Sequence, residues 1–299
     1  MFFDFLIPMT DKEVPPHIIL RSSGSGPLFV FHHGAGLSAA SFSLLQSAML
    51  DLLPCTTLSF DCRGHGMNIS DLDSNNSVLD LSLETLANDL RDIIQQYQTA
   101  NQQVILIGHS MGGAVVVHLM HKRLVKNVIG CVVLDVVEGS AIESLAHMNK
   151  ILASRPNSFP SIENAIDWSI RNHQIMNRKS AEISIPTQLK LADNKYVWKT
   201  DLSKSSPYWQ EWFLGLSDKF LSMPCAKLLV LAGTDRLDKP LTIGQMQGKF
   251  QMVVIPESGH YIQEDVPEKL SQVLHEFYQR NQPLDISKIK KFPIPANVK

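Results

Sequence analysis

Residues 104–113, VILIGHSMGG, decide the fold. Four apolar residues lead into Gly108-His109-Ser110-Met111-Gly112, a G-x-S-x-G pattern, and residues 114–120 continue as an apolar, helix-compatible run. The order is strand, sharp turn, helix. A serine at the apex of such a turn needs small neighbours on both sides, because the backbone passes close to itself there. Ser110 is then expected to hold its hydroxyl above a sheet, beside the positive end of the following helix. G-x-S-x-G alone is a weak signal; the Val-Ile-Leu-Ile run before it and Gly113-Ala114 after it strengthen this copy.

The flanking chain supports a sheet with helices on both faces. Before the serine, Leu86, Leu90, Ile93, Ile94 and Tyr97 recur at the spacing of one helical face. After it, residues 128–137 (VIGCVVLDVV) form a strand without alternation, as a parallel strand covered on both faces requires, with Asp135 near its C-terminal end. Further strands are expected at 17–20, 27–33 and 55–61, with a helix at 41–53. The second of these strands ends in the loop His33-Gly34-Ala35-Gly36. Between about 138 and 224 the strand signal disappears. Helical patterns at 141–154 and 161–174 and an aromatic cluster, Tyr208, Trp209, Trp212, Phe213 and Phe220, take its place. Strand character returns at 226–233 and 250–256, before a helix at 268–280. The expectation is a single α/β domain over 1–299, with a mostly parallel central sheet flanked by helices. A helical cap insertion at 138–224 would cover the strand ends, and the tail at 283–299, with four lysines and three prolines, would be loosely attached.

Composition excludes several classes of function. Hydrophobic residues make up 44% and charged ones 19% of 299 residues, as in an ordinary globular protein. A formal charge of -2 gives no reason to expect nucleic acid or an anionic membrane as partner, and a monomer is expected. Cys55, Cys62, Cys131 and Cys225 are scattered without C-x-x-C spacing, which favours reduced thiols. The opening MFFDFLIPM contains Asp4 and lacks a basic start, so it does not read as a signal peptide, and no apolar run is long enough to cross a membrane. A cytoplasmic or nuclear location follows as the expectation, in which the N-x-S triplets at Asn68 and Asn75 carry no glycosylation.

A serine hydroxyl is a poor nucleophile without a base in reach and an acid to orient that base. His260, in Glu257-Ser258-Gly259-His260 directly after the last expected strand, has the setting of the base. His118 and His121 share a helix face, yet no third ligand accompanies them, so they read as surface or packing residues. For the acid, Asp135 stands at one known location, and Asp235 or Asp238, after the penultimate strand, at the other; spacing leaves the choice open, and a rejected aspartate would cap a turn or helix. The oxyanion hole needs two backbone N–H donors, expected from Met111 and from the loop at Ala35. No metal or organic cofactor is required.

Five segments carry a resemblance. HHGAG (32–36) and GHSMGGA (108–114) occur across many hydrolases, whereas LDVVEG (134–139), ENAIDWS (163–169) and LDKPLTIGQMQGKFQM (237–252) are specific. Together they make the chain resemble the protein phosphatase methylesterases, serine hydrolases of the α/β-hydrolase fold, from about residue 31 to 278. The resemblance implies Ser110 as nucleophile, His260 as base, Asp135 as acid and Ala35 and Met111 at the oxyanion hole, with Asp235 the alternative acid. It also implies the substrate, the methyl ester on the C-terminal leucine of the type 2A protein phosphatase catalytic subunit, and that subunit as partner. The chain departs from some relatives in its short N-terminal region and in lacking an acidic low-complexity stretch near 191–195. Residues 237–252 read equally as a partner-recognition segment or as close backbone packing around Gly244 and Gly248. The rival readings are a small-molecule carboxylesterase, lipase or peptidase, and a phosphatase-binding protein with little catalysis. Epoxide hydrolases and haloalkane dehalogenases are disfavoured, since they need a carboxylate where Ser110 stands.

Overall fold

The computed structural model describes residues 14–69, 79–233 and 237–282. The opening nonapeptide, Asn75, Asp235 and the 283–299 tail lie outside the described residues.

Seven strands form one sheet in the order β1 (Ile18–Ser22), β3 (Thr56–Phe60), β2 (Leu28–His32), β4 (Val104–His109), β5 (Val128–Leu134), β8 (Ala226–Leu231) and β9 (Gln251–Val254). Only β1 runs antiparallel to its neighbour; every other pair is parallel. The absence of alternation in the central strands has a direct cause. Val104 and Leu106 of β4 face one hydrophobic cluster with Leu86, Leu90 and Ile94 of α2 (Leu83–Tyr97) and Val115 to Val117 of α3 (Met111–His121). Ile105 and Ile107 face another, with Leu45 and Met49 of α1 (Ser43–Leu52) and Leu270, Leu274 and Phe277 of α11 (Pro267–Asn281). Two covered faces demand an apolar residue at every position. The expected α/β architecture is therefore the observed one.

The chain between β5 and β8 holds α4 (Glu138–Ser154), α5 (Ile162–Arg171), α6 (Arg178–Ser184), α7 (Trp209–Phe213) and α8 (Leu216–Ser222). It also holds a two-stranded hairpin, β6 (Leu189–Ala192) and β7 (Lys195–Trp198), where the sequence had suggested no strand. Its turn residues Asp193 and Asn194 have φ of 48° and 59°, the left-handed pair that a two-residue hairpin turn requires and that Asp and Asn tolerate. Phe159, Ala165, Ile166, Ile175, Ala181, Ile185 and Leu189 form a small core of their own. The later aromatics do not join it: Trp209, Trp212, Phe213 and Phe220 pack into the main cluster beside α3. The remaining helices are α9 (Lys239–Met246) and the short α10 (Ile262–Asp265).

Candidate active site

Strand register places the candidate nucleophile and acid side by side. His109 pairs with Leu134, and Leu134 with Val230, so Ser110 and Asp135 each stand one residue past a strand end. The ladder continues through them, with Ser110 N–H donating to Leu134 O at 3.1 Å and Asp135 N–H to Val230 O at 2.8 Å. Both then leave the extended conformation, with φ of +52° at Ser110 and +50° at Asp135. Left-handed non-glycine residues cost on the order of 1–3 kcal/mol each and persist where the surroundings over-determine them. Here the glycines do so. A Cβ on Gly108 would lie 2.2 Å from Gly112 O, and one on Gly112 2.2 Å from His32 O. Only glycine permits strand β4 and helix α3 to meet at that angle.

The structure brings Asp135 and His260 together. His260 Nδ1–H donates to Asp135 Oδ2 at 2.7 Å, and Ala232 N–H donates to Asp135 Oδ1 at 2.8 Å. The Asp135 side chain is 20% exposed and that of His260 50%, so the acid is covered while the imidazole faces the solvent side. Burial works against charge on Asp135, but the His260 hydrogen bond and charge and the Ala232 amide outweigh it, leaving the carboxyl below its ordinary value. Ser110 Oγ has no hydrogen-bond partner among the described residues. The constellation is thus joined at its Asp135–His260 end and open between His260 and Ser110, a bond that commonly tightens only with substrate bound. Asp238 takes the bland work instead: it caps α9, accepting from Leu241 N at 3.1 Å, and accepts from Ser217 Oγ at 2.6 Å.

The Ala35 loop abuts the serine. A Cβ on Gly34 would lie 3.2 Å from Ser110 Cβ, and the amides of Ala35 and Met111 have no acceptor among the described residues. Their availability suits them to a developing negative charge. Three residues that sequence reasoning passed over hold this geometry. His33 Nε2 accepts from Cys62 N–H at 3.0 Å, which leaves the proton on Nδ1, and Nδ1–H donates to Gly34 O at 2.8 Å, tying the loop down. His109 Nε2–H donates to His260 O at 2.8 Å, with the ring centroids 4.7 Å apart. Burial pushes His109 down to about 3, so it is a neutral donor. Asp265 accepts from Gly259 N at 2.8 Å and Met176 N at 2.7 Å, fixing the turn before His260. His33 and His109 do stand in the quoted HHGAG and GHSMGGA segments, whereas Asp265 had no sequence signal.

Elsewhere, His118 Nε2 contacts Glu84 Oε2 at 3.0 Å and His121 Nδ1 contacts Ser222 Oγ at 3.3 Å, so both are occupied locally. Among the described residues no cluster of three metal-ligating side chains occurs, and no helix is long and apolar enough to cross a membrane. The four cysteines are free thiols, three of them buried. In α9, Gly244 packs closely on Leu221, whose Cδ2 would lie 2.5 Å from an added Cβ and would have to move, and Gly248 takes a left-handed φ of +66° just past the helix end.

Residues 29–273 match the model of the alpha/beta hydrolase family. Among solved structures, E-2-(acetamidomethylene)succinate hydrolase superposes with a TM-score of 0.70 at 21% identity, over 87% of this chain and 94% of that one, a likeness of fold. Relatives at higher identity are named protein phosphatase methylesterase 1. The one from Aspergillus fumigatus is 45% identical over 93% of this chain and 70% of its own length. That from Schizosaccharomyces pombe is 46% identical over 87% and 76%, and that from Bos taurus 38% over 88% and 80%. With this identity over most of both sequences, on the fold that the family model describes, the chain belongs to the protein phosphatase methylesterases of the alpha/beta hydrolase family.

Proposed function

We propose that this chain is a serine carboxyl methylesterase that removes the methyl ester from the C-terminal leucine of the type 2A protein phosphatase catalytic subunit. The observation that carries the reading is the 2.7 Å hydrogen bond from His260 Nδ1 to Asp135 Oδ2, at the strand end beside the Ser110 turn. That bond fixes the imidazole tautomer with Nε2 unprotonated, the form able to take a proton from a hydroxyl. Ser110 Oγ attacks the ester carbonyl as His260 Nε2 takes its proton. The carbonyl oxygen becomes an oxyanion received by the Ala35 and Met111 amides, each such donor lowering the barrier by about 3–4 kcal/mol. Collapse expels methoxide, which His260 protonates to methanol. Water, deprotonated by the same histidine, then attacks the acyl-Ser110, and the leucine carboxylate leaves with Ser110 reprotonated. The names borne by the relatives support the substrate class.

Methanol release from methylated phosphatase tests this. Ser110→Ala is expected to abolish it, and retained turnover would sink the assignment of the nucleophile. Faster turnover of short acyl esters than of methylated phosphatase would instead favour a small-molecule esterase.

A further inference from the structure

The candidate base is held by its backbone as well as by its ring. His109 grips the carbonyl of His260, and the amide of the preceding residue, Gly259, donates to Asp265 Oδ2 at 2.8 Å. Asp265 ends α10, the short helix that begins two residues after His260, and its own amide donates to Tyr261 O at 2.9 Å. The carboxylate thus folds back over the turn and closes residues 259–265 into a ring. Its second oxygen reaches out of the main body. Oδ1 accepts from Met176 N–H at 2.7 Å, and Met176 stands in the connection between α5 and α6, in the chain between β5 and β8.

The junction is close-packed beyond these bonds. A Cβ on Gly259 would lie 3.3 Å from Asp265 Oδ2, 3.4 Å from Met176 Cε and 3.9 Å from His173 O. Two of those three neighbours belong to the α5–α6 connection. The Asp265 side chain is buried; burial pushes its carboxyl above the ordinary value, while the two amides and the charge of His260 work in the other direction. Neither amide has another acceptor among the described residues, so the carboxylate satisfies one donor from each side of the junction.

We propose that Asp265 is a positioning residue for the reaction: its carboxylate joins the α5–α6 connection at Met176 to the base loop at Gly259, and so sets where the His260 imidazole stands. This rests on the serine esterase reading for the identity of the base, not of the substrate. Asp265 touches no reacting atom; it acts on the backbone of His260, as Asp135 acts on its ring. The placement a base needs is narrow, since a shift of about 1 Å costs on the order of 100-fold in rate. Movement of the α5–α6 connection therefore reaches the base through a single carboxylate.

Hydrolysis of p-nitrophenyl acetate by the full-length protein tests this without the phosphatase. Asp265→Ala removes both acceptor oxygens and is expected to lower kcat by roughly 10- to 100-fold with KM little changed. Asp265→Asn, nearly the same in shape, offers one oxygen to two donors and gives a smaller loss; Asp265→Glu keeps both oxygens and recovers part of the Asp265→Ala loss. Glu257→Gln removes a charge from the same loop, where it pairs with Lys269, and keeps the wild-type kcat. Hydrogen exchange reads the junction itself: the Met176 and Gly259 amides exchange faster together in Asp265→Ala, and at least one of them does in Asp265→Asn, while β4 and β5 stay protected. A side chain serving stability alone would lower the unfolding midpoint and leave kcat of the folded protein intact. Unchanged kcat in whichever of these two variants is folded, or a raised KM without loss of kcat, overturns the proposal. So does a loss of kcat with both amides as protected as in wild type, or with Gly259 alone exposed in Asp265→Ala. The underlying reading fails separately. Acetate turnover that survives Ser110→Ala refutes the nucleophile, and Ser110-dependent acetate turnover without methanol release from methylated phosphatase refutes the substrate and leaves the role of Asp265 standing.

Discussion

Replacing Asp135 by asparagine exchanges one carboxylate oxygen for an amine where His260 is held, and the local geometry dictates which one. Ala232 N–H donates to Oδ1 at 2.8 Å and His260 Nδ1–H to Oδ2 at 2.7 Å. The single oxygen of an asparagine serves only one of these donors. A backbone amide cannot change its protonation, whereas an imidazole can, so the oxygen stays with Ala232 and the NH₂ turns to His260. His260 Nδ1 must then accept, which moves the ring proton to Nε2 and leaves no lone pair facing Ser110. A wrong tautomer of this kind lowers kcat by about 10⁴, or roughly 5–6 kcal/mol of barrier at about 1.4 kcal/mol per factor of ten. Stability changes far less. The carboxyl lies below its ordinary value, so its contribution is present above the unfolded carboxylate range and is lost only as pH falls through the lower folded value. Methanol release from methylated phosphatase is the assay, at neutral pH, beside Asp235→Asn. Asp135→Asn is expected to be nearly inactive yet folded, by a cooperative unfolding transition shifted far less than the activity. Activity within 10-fold of wild type, with Asp235→Asn inactive, would refute the assignment of the acid.

Two further outcomes follow from the packing. Glu264 is 1% exposed with both carboxyl oxygens unpartnered, and burial, reinforced by Asp265, pushes it up to about 8 despite the nearby Ser184 hydroxyl, itself without a partner. Because its folded value is raised, the native protein holds this proton while the unfolded chain releases it, so stability falls as pH rises from about 4.5 towards 8, on the order of 1 kcal/mol per pH unit. Glu264→Gln is expected to raise the melting temperature relative to wild type at pH 8 and much less at pH 5; a pH-independent gap would contradict this. Gly112→Ala would set a Cβ 2.2 Å from the His32 carbonyl, a backbone atom that cannot step aside, and should cost at least the ~1–3 kcal/mol of overpacking together with activity. A wild-type urea midpoint for that variant would show that the turn has slack the geometry does not reveal.

Much of the scaffold was legible along the chain. The helix at Leu83–Tyr97 announced itself by its apolar spacing, and β5 by a run with no polar break. The hairpin at Leu189–Trp198 did not, because its strands are short and only partly buried, and Asp193-Asn194 was its one local cue. The aromatic cluster at 208–220 read as part of the insertion, yet Trp209, Trp212, Phe213 and Phe220 are core residues of the main body. Apolar content says that a residue is buried, not against which surface.

The sequence by itself determined the turn: G-x-S-x-G between an apolar strand and an apolar helix admits few other shapes, since its glycines sit where any Cβ would strike backbone. It also named His260, by its place after the last strand. Only the tertiary structure shows Asp135 hydrogen-bonded to that histidine, because their meeting depends on strand order and register, which set β5 beside β4 and Asp135 beside Ser110. The same holds for the supports. The sequence placed His33 and His109 in quoted motifs without giving them a task and passed over Asp265, and each acquires its meaning from a partner that folding brings within a hydrogen bond.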